Sequence, residues 1–465
     1  MTDKFVTVAG AARSGVAAAE LLARRGARVT LSDIAAQIAD ADRLRALGVS
    51  LETGGHVAET FTSADLVVLS PGVAPDIPVL RAARDRGVPV IGEIELAWRW
   101  LLGRVIAITG TKGKSTTTAL TGRMLEAAGF KVTVGGNIGA PLSAQVAEST
   151  PDTLHVVETS SFQLEQIDTF RPWISVMLNF SPDHLDRHPT VEAYGDAKAR
   201  IFENQLSTDF AVINADDPAV LELARRGRAE KRYFARSGAI VDGTVVDAGW
   251  IVDLQHGAES RLVPLDAIHL LGPHLVNDVM AAATVGTIAG ASPTAMTSAV
   301  DGFRGLEHAM ELVAEVQGVR FVNDSKATNV ESALRAIESF ERGLVPIIGG
   351  RFKGGDLGLL REPLKARAKA VVAIGESRPL VREAFTGVVP VHEADTFEAA
   401  IARAFELARP SGVVLLAPAC ASFDMFRDYA ERGRKFKEFV GTLVTPKSEE
   451  HRAVSPKLDG ERRER

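Results

Sequence analysis

The sequence of 465 residues contains one cysteine, Cys420, which excludes an internal disulfide and is typical of proteins from a reducing compartment. No run reaches the ~18 apolar residues of a membrane helix, and the amino terminus lacks a basic segment followed by a long apolar core. A net charge of −6 and a pI near 6.0 give no general attraction for nucleic acid or anionic lipid. We therefore expect a cytosolic protein that inserts into no membrane and binds no nucleic acid.

The chain is too long for a single hydrophobic core, so two or three domains are expected. Short apolar, β-branched runs alternate with alanine- and leucine-rich stretches along most of its length. This alternation predicts parallel sheets with helical crossovers, because strands buried on both faces are apolar throughout. The predicted strands are Phe5–Ala9, Arg28–Leu31, Leu66–Leu69, Val105–Ile108, Leu154–Val157, Ile174–Leu178, Phe210–Ile213, Arg320–Val322, Val345–Ile348, Val371–Ile374 and Val413–Ala417.

Interruptions near residues 96–103 and 300–305 divide these strands into three groups. We therefore predict three α/β domains, at residues 1–98, 99–303 and 304–445. Residues 241–263 alternate between polar and apolar side chains around turn residues, which predicts a small β excursion. The last segment, 446–465, is charged and poor in apolar residues and is expected to be a disordered tail.

A glycine-rich turn lies between the predicted strand Val105–Ile108 and a helical stretch that follows it. Such a turn directs backbone N–H groups toward an anion, and the helix amino terminus adds partial positive charge. Lys114 is placed to reach terminal phosphates and Ser115 to ligate Mg²⁺. The strict phosphate-loop pattern has glycine where this chain has Ile108, so the alternative is a tight turn with a solvated lysine. The candidate phosphate-binding residues are Gly110, Thr111, Lys112, Gly113, Lys114, Ser115 and Thr116.

Two further groups follow the next predicted strands. Glu158 ends a buried-type strand, where a carboxylate points into the ligand crevice of an open α/β sheet. His184 and His188 are four residues apart, which allows a zinc pair as one interpretation. The absence of further histidine or cysteine ligands, next to a candidate ATP loop, favours oxygen ligands and Mg²⁺ instead.

The first strand is followed by Gly10-Ala11-Ala12-Arg13-Ser14-Gly15, and Asp33 ends the second strand. This pattern is similar to a dinucleotide-binding fingerprint that lacks its middle glycine, so an NAD-dependent dehydrogenase is a competing interpretation. Near the carboxyl end, three polar runs follow separate strands and are expected to meet at one mouth of a sheet. These runs are Asn323–Asn329, Gly349–Gly354 and Ala417–Phe426.

Together these runs resemble the motifs of the Mur ligases and their folylpolyglutamate synthetase relatives, over nearly all of residues 1–445. The resemblance implies an α/β fold of three domains: a Rossmann-like amino-terminal domain that binds a UDP-sugar, a central P-loop-type ATPase domain with a parallel sheet, and a Rossmann-like carboxyl-terminal domain that binds the amino acid. It also implies a carbamate on Lys198, within Tyr194–Phe202, and ATP and Mg²⁺ as cofactors. A carbamate offers oxygen ligands to a divalent cation, whereas an ammonium group is repelled.

The resemblance assigns further residues by position. It implies Lys114, Glu158, His184 and Lys198 as catalytic residues, and Ser115, Glu158, His184 and carbamylated Lys198 as Mg²⁺ ligands. For ATP it adds Asn277, Asp324 and Lys326 to the glycine-rich turn. For the UDP-sugar it implies Ser14, Asp33, Ser70, Asn137 and Ser160. For the amino acid it implies Thr328, Lys353, Ser422 and Phe423.

The carboxyl-terminal runs are most similar to those of family members that add D-glutamate. The implied reaction joins D-glutamate to a UDP-muramoyl-alanine nucleotide in peptidoglycan precursor synthesis, through an acyl phosphate made with ATP, in a protein expected to be a monomer. A sister ligase with another amino acid, a folylpolyglutamate synthetase-like ligase and a nucleotide-binding switch without ligase activity remain alternatives.

The sequence departs from the family pattern at two places. The family has His-Asn where this chain has His274-Leu275, so Asn277 is the expected substitute for adenine contact. The family has arginine where this chain has Ala309, and whether Arg304 compensates is open. Cys420, with no base in its motif, is predicted to be a packed small residue rather than a nucleophile.

Overall fold

A computed structural model describes residues 1–444 except 39, 185–186, 237–239, 241, 256 and 270–274. The proposed tail and His274 therefore lie outside the described residues. The described residues form three sheets of five, nine and six strands. The chain divides into two compact units; the first, Met1–Phe303, holds the five- and nine-stranded sheets, and the second begins at Arg304 and holds the six-stranded sheet.

The amino-terminal sheet is parallel throughout, with the order β3-β2-β1-β4-β5. The order reverses between β1 and β4, and the crevice beyond the carboxyl ends of two such strands is the usual ligand site of an open α/β sheet. The strands are β1 Phe5–Ala9, β2 Arg28–Asp33, β3 Ser50–Thr53, β4 Leu66–Leu69 and β5 Val90–Gly92. The helices are α1 Arg13–Arg24, α2 Ala41–Ala46, α3 Ala58–Thr62, α4 Pro78–Asp85 and α5 Glu93–Trp98.

The nine-stranded sheet has the order β14-β13-β12-β11-β10-β9-β6-β8-β7. Its central strand β6 lies between β8 and β9, so the loops after these three strands meet at one edge. The strands are β6 Arg104–Thr109, β7 Lys131–Gly136, β8 Thr153–Glu158, β9 Ile174–Met177, β10 Phe210–Asn214, β11 Glu230–Ala235, β12 Gly243–Asp247, β13 Trp250–Gln255 and β14 Ala258–Pro264. The helices are α6 Lys114–Ala127, α7 Leu142–Gln145, α8 Ser161–Leu164, α9 Val191–Ala199, α10 Pro218–Leu223, α11 Leu275–Ala289 and α12 Pro293–Asp301.

The six-stranded sheet has the order β15-β16-β20-β17-β18-β19, and its only antiparallel pair within the described residues is β15 with β16. The strands are β15 Glu311–Val316, β16 Val319–Asn323, β17 Leu344–Gly349, β18 Val371–Ile374, β19 Val391–Glu393 and β20 Gly412–Leu416. The helices are α13 Val330–Glu338, α14 Arg361–Arg367, α15 Arg378–Phe385, α16 Phe397–Ala408 and α17 Tyr429–Val444.

The predicted α/β class with parallel sheets is confirmed, and each predicted strand overlaps an observed one. The predicted β excursion is the antiparallel set β12–β14, which extends the nine-stranded sheet instead of forming a separate unit. Six strands were missed, and five of them (β3, β5, β7, β15 and β19) lie at the edges of their sheets. Edge strands are half-exposed, so they lack the continuous apolar run that marks an interior strand. Among the described residues, no helix is long and apolar enough to cross a membrane.

Candidate functional site

The glycine-rich turn joins β6 to α6 at the centre of the nine-stranded sheet. Gly110 and Gly113 have φ angles of +151° and +80°, which side-chain-bearing residues rarely adopt. The amide of Asn179, just beyond β9, accepts hydrogen bonds from the backbone N–H of Thr111 at 3.1 Å and of Lys112 at 2.8 Å. The turn is thereby fixed to the neighbouring strand. Helix α6 begins behind a glycine, which has no side chain to cap it, so its first turn is suited to an anionic ligand.

Two lysine amines converge on one carbonyl of this turn. Gly110 O accepts hydrogen bonds from Lys114 Nζ at 3.0 Å and from Lys198 Nζ at 2.7 Å. Lys198 is only 1% exposed, and its amine lies 4.7 Å from the ring centre of Tyr194. Burial, and to a lesser extent the charge of Lys114, lowers the pKa of Lys198 to about 7. The Lys198 amine is therefore partly neutral near neutral pH.

A hydroxyl and a carboxylate meet on the other side of the turn. Ser115 Oγ donates a hydrogen bond to Glu158 Oε2 at 2.6 Å, and Asn137 Nδ2 donates one to Glu158 Oε1 at 2.8 Å. Glu158 is 2% exposed at the end of β8, in register with Ile108 of β6. A buried carboxylate beside a hydroxyl provides the oxygen ligands that Mg²⁺ prefers, so the residues fit this ion. The described part of the chain contains no cluster of three or more His, Cys, Asp or Glu side chains arranged for a metal.

The two histidines after β9 have different surroundings. His188 is 1% exposed, its Nε2 hydrogen-bonds Ser161 Oγ at 2.9 Å, and its ring stacks on Phe162 at 5.5 Å. The His184 side chain is 48% exposed, and its ring meets the edge of Phe162 at 5.1 Å and that of Tyr194 at 6.1 Å. Tyr194 therefore contacts both His184 and Lys198, which brings the two sequence-predicted residues into one neighbourhood.

The amino-terminal crevice contains Asp33, Ser70 and Ser14. Asp33 Oδ2 accepts a hydrogen bond from Ala11 N at 2.5 Å, so this carboxylate fixes the β1–α1 turn. Ser70 is 3% exposed and follows β4, and Ser14 lies in the first turn of α1. The other two predicted UDP-sugar residues are elsewhere in the first unit: Asn137 contacts Glu158, and Ser160 caps α8.

The three carboxyl-terminal runs meet after β16, β17 and β20, which are neighbours in their sheet. Arg351 and Ala421 exchange backbone hydrogen bonds of 2.9 and 3.0 Å, and Ala419 N donates one to Ala327 O at 3.0 Å. These bonds bring together the segments that carry the four predicted amino-acid contacts. Ser422 is buried, Phe423 is 63% exposed, and Lys353 is exposed and close enough to Cys420 to influence its thiol.

Comparison with known proteins gives matches along most of the chain. The family model of the Mur ligase MurD-like N-terminal domain matches residues 4–92, that of the Mur ligase middle domain 108–286, and that of the Mur ligase glutamate ligase domain 308–420. The UDP-N-acetylmuramoylalanine--D-glutamate ligase of Koribacter versatilis is 45% identical over 444 residues, which cover 95% of this chain and 98% of that one. The ligase of the same name from Acidobacterium capsulatum is 46% identical over 445 residues, covering 95% and 96%.

The chain belongs to the Mur ligase family.

Two solved structures have the same fold at low sequence identity. A UDP-N-acetylmuramate-alanine ligase from Thermotoga maritima aligns with a TM-score of 0.56 at 18% identity, over 94% of this chain and 99% of that one. A pseudomurein peptide ligase type C from Methanothermus fervidus aligns with a TM-score of 0.55 at 18% identity, over 94% and 100%. These similarities support the three-domain α/β fold of the family and nothing finer.

The structure describes Asn277 and Ala309, which belong to the two departures of this Mur ligase from the family pattern. Asn277, on α11, has a buried Oδ1 with no hydrogen-bond partner among the described residues. Ala309 follows His308, whose carbonyl accepts a hydrogen bond from Lys326 N at 3.0 Å. Arg304 is exposed.

The two predicted ATP contacts in the second unit, Asp324 and Lys326, differ in burial. Asp324 Oδ1 accepts a hydrogen bond from Met310 N at 3.1 Å, and burial raises the pKa of Asp324 to about 7. Lys326, two residues on, is exposed.

Sequence reasoning missed one buried cation that holds this site together. Arg432, on α17, is 1% exposed; its Nε donates to Ser325 Oγ at 2.9 Å, and its other nitrogens donate to Ser325 O at 2.8 Å and Cys420 O at 3.3 Å. It thereby joins two of the three runs. An arginine in a charged helix gives no sequence signal that it is buried. The adjacent Gly433 does indicate close packing, because glycine is unfavourable inside a helix, and in the structure a Cβ there would lie 2.2 Å from His308 Nδ1. Cys420 is fully buried, as predicted for a packed residue.

Proposed function

We propose that this Mur ligase uses ATP and Mg²⁺ to join D-glutamate to UDP-N-acetylmuramoyl-L-alanine. The observation that carries the proposal is identity of 42–46% with ligases of that name across 95% of the chain. The phosphate turn, with Ser115 and Glu158 beside it, supports the ATP-dependent half of the reaction. The three convergent carboxyl-terminal runs support the amino-acid half.

In the proposed reaction the substrate carboxylate attacks the γ-phosphorus of ATP, giving an acyl phosphate and ADP. The D-glutamate amine then attacks the acyl carbon, loses a proton, and inorganic phosphate leaves. Lys114 and the N–H groups at the start of α6 hold the phosphates and neutralise the charge that is transferred. Ser115 and Glu158 would hold Mg²⁺, which when bound supplies further charge neutralisation at the phosphates.

Lys198 is proposed to react with CO₂ to give a carbamate. The neutral amine attacks the carbon of CO₂ and releases one proton, which leaves an N-carboxylate. Its burial next to Lys114 supports this, because the modification removes one of two cations that face the same carbonyl. The carbamate oxygens would be further Mg²⁺ ligands, where Ser115 and Glu158 would hold one ion and His184 would help to hold a second.

The amino-acid site is proposed at Thr328, Lys353, Ser422 and Phe423. A diacid such as D-glutamate needs cationic and hydroxyl donors, which Lys353, Thr328 and Ser422 provide. Ser14, Asp33, Ser70, Asn137 and Ser160 are proposed for the UDP-sugar, although Asn137 also contacts Glu158.

The test is incubation of the purified protein with ATP, Mg²⁺, UDP-N-acetylmuramoyl-L-alanine and a panel of single amino acids, with product masses recorded. We expect a new mass with D-glutamate, together with phosphate release that requires all three substrates. A product with L-alanine or a diamino acid would identify a sister ligase. Phosphate release without any product would point to a nucleotide switch and would contradict the proposal.

A further inference from the structure

A cavity of about 350 Å³ lies at the edge of the nine-stranded sheet opposite to the phosphate turn. Its walls come from the amino ends of three neighbouring parallel strands, β6, β9 and β10, and from the end of α5. Strand β6 begins in this cavity at Arg104 and ends at Thr109, next to the phosphate turn. Five residue steps of ~3.3 Å therefore separate the two sites by roughly 17 Å, so the cavity is distinct from the proposed reaction centre.

Two half-buried tryptophans supply rigid apolar walls for this cavity. Trp98, at the end of α5, packs edge to face with Phe170 at 5.8 Å between ring centres, and Trp173 packs with Phe210 in the same way at 6.4 Å. These contacts hold both indole rings in place, so a ligand that packs on them costs little side-chain entropy. A cavity of this volume lies within the ~300–1,000 Å³ range of small-molecule sites, which are lined mainly by such side chains.

The cavity also contains two arginines, of which one has a carboxylate partner. Asp209 is 4% exposed and accepts hydrogen bonds from Arg171 Nε at 2.7 Å and Arg171 Nη2 at 3.1 Å, a bidentate pair that neutralises this arginine. Arg104 is exposed, and its guanidinium stacks on Trp173 at 4.7 Å from the ring centre. Its side chain forms no hydrogen bond or ion pair with the residues that the structure describes. Stacking leaves the in-plane N–H donors of Arg104 available to an acidic group.

We propose that this cavity is a second small-molecule site, which binds a planar aromatic anion. The ring of the ligand would pack on the two tryptophans, and its acid group would pair with Arg104. A carboxylate and a phosphate both match the guanidinium, so an aromatic carboxylate and a nucleoside monophosphate share this chemistry. The inference concerns a site away from the proposed ligase reaction and does not depend on it.

The test measures binding of the fluorescent aromatic anion anilinonaphthalene sulfonate to the full chain. Saturating Mg²⁺-ADP and UDP are present, so that the proposed nucleotide and UDP-sugar sites are occupied. Phenylnaphthylamine is titrated in parallel, because it keeps the rings of the probe but has no acid group. The readouts are the Kd of each probe, the melting temperature and kcat of the ligase reaction.

Three variants locate the site. Arg104→Met removes the exposed cation, and Thr208→Tyr fills the cavity from its exposed rim without removing a buried group. Arg25→Met is the matched control, because Arg25 is also exposed and stacks at 4.7 Å on a tryptophan, Trp100, that does not line the cavity.

We expect one saturable site for the sulfonate probe that ADP and UDP do not displace. Arg104→Met should raise the Kd of this probe ~10-fold or more, because a hydrogen bond between charged groups is lost, and should leave that of phenylnaphthylamine within about twofold. Thr208→Tyr should weaken binding of both probes, and Arg25→Met should change neither. All three variants should keep the melting temperature and kcat of the wild type, since the substituted residues are exposed and lie outside the reaction centre.

Displacement of the sulfonate probe by ADP or UDP would overturn the inference, as would a wild-type Kd in Arg104→Met or equal weakening by Arg25→Met. Equal weakening of both probes by Arg104→Met would overturn the requirement for an anion. Competition with indole acetate and with AMP then identifies the acid group: displacement by the first supports a carboxylate and by the second a phosphate, whereas displacement by neither would overturn the ligand class. If the probes behave as expected but the protein forms no ligase product, the proposed function fails and this site stands.

Discussion

Replacing Arg432 with methionine should destabilise the second compact unit and weaken its amino-acid site. Methionine fills similar space but donates no hydrogen bond, so Ser325 Oγ, Ser325 O and Cys420 O lose their buried donor. Each unsatisfied buried acceptor costs ~1–3 kcal/mol, although the bond of 3.3 Å contributes least.

Removal of the buried charge has the opposite effect, because it raises the free energy of unfolding. Burial lowers the pKa of Arg432 to about 10, and its nearest hydrogen-bond partners are neutral. Relief of that desolvation offsets part of the loss. We therefore expect a net loss of ~2–4 kcal/mol in the free energy of unfolding. For a domain of this size it corresponds to a fall of ~6–12 °C in melting temperature.

The assay is thermal unfolding followed by circular dichroism, together with KM for D-glutamate. Arg403→Met is the control, because Arg403 is an exposed arginine on α16 whose ion pair with Glu406 contributes ~0–1 kcal/mol. Arg432→Lys should recover part of the stability, since an ammonium group reaches some of the same acceptors. If Arg432→Met melts with the wild type, or if Arg403→Met falls as far, the reasoning about buried acceptors is refuted.

Three further predictions concern the proposed chemistry. Lys114→Ala should fold normally, as judged by melting temperature, yet lose turnover by ~10²–10³-fold, because a preorganised donor to the transferred charge is gone; ATP-dependent product at the wild-type rate would exclude the phosphate-loop assignment. D-glutamate should be a substrate and L-glutamate essentially not, because ~1 Å of misplacement of the amine costs ~10²-fold in rate; similar turnover with both enantiomers, measured by product mass, would argue against the site around Lys353. Activity should fall when CO₂ is removed at a pH below the Lys198 pKa of about 7, because the amine is then mostly protonated and cannot react with CO₂. Activity should return when bicarbonate is added at higher pH. A Lys198→Arg variant that is active with and without CO₂ would contradict the carbamate.

Much of the fold and the centre of the site could be predicted because their signals are local in the sequence. An apolar strand, a glycine-rich turn and a helix identify the phosphate loop without knowledge of the rest of the chain. Glu158 and Asn323 end buried strands, and the carboxyl ends of parallel strands meet at one edge, so their convergence also follows from topology.

The parts that sequence reasoning missed depend on which side chains pack against each other. Nothing in the sequence around Arg432 marks it as buried, since its helix also carries exposed charged residues. Asn179 was within a recognised run, but its hydrogen bonds to the phosphate turn depend on the register of β9 beside β6. Five of the six missed strands were edge strands, whose half-exposed residues lack a continuous apolar signal.

The charged groups around the phosphate turn affect how it binds its ligands. Among the ionisable groups at the turn, burial drives Lys198 toward its neutral form, Lys114 donates to two carbonyls of the turn at 3.0 Å, and Glu158 accepts a hydrogen bond from Ser115 at 2.6 Å. Because a buried charge is costly without a partner, a neutral Lys198 limits the uncompensated charge of the site in the absence of ligands. Anionic phosphates and a divalent cation would then supply the missing partners together. The turn should therefore bind nucleotide and Mg²⁺ with positive coupling, since each compensates charge that the other brings.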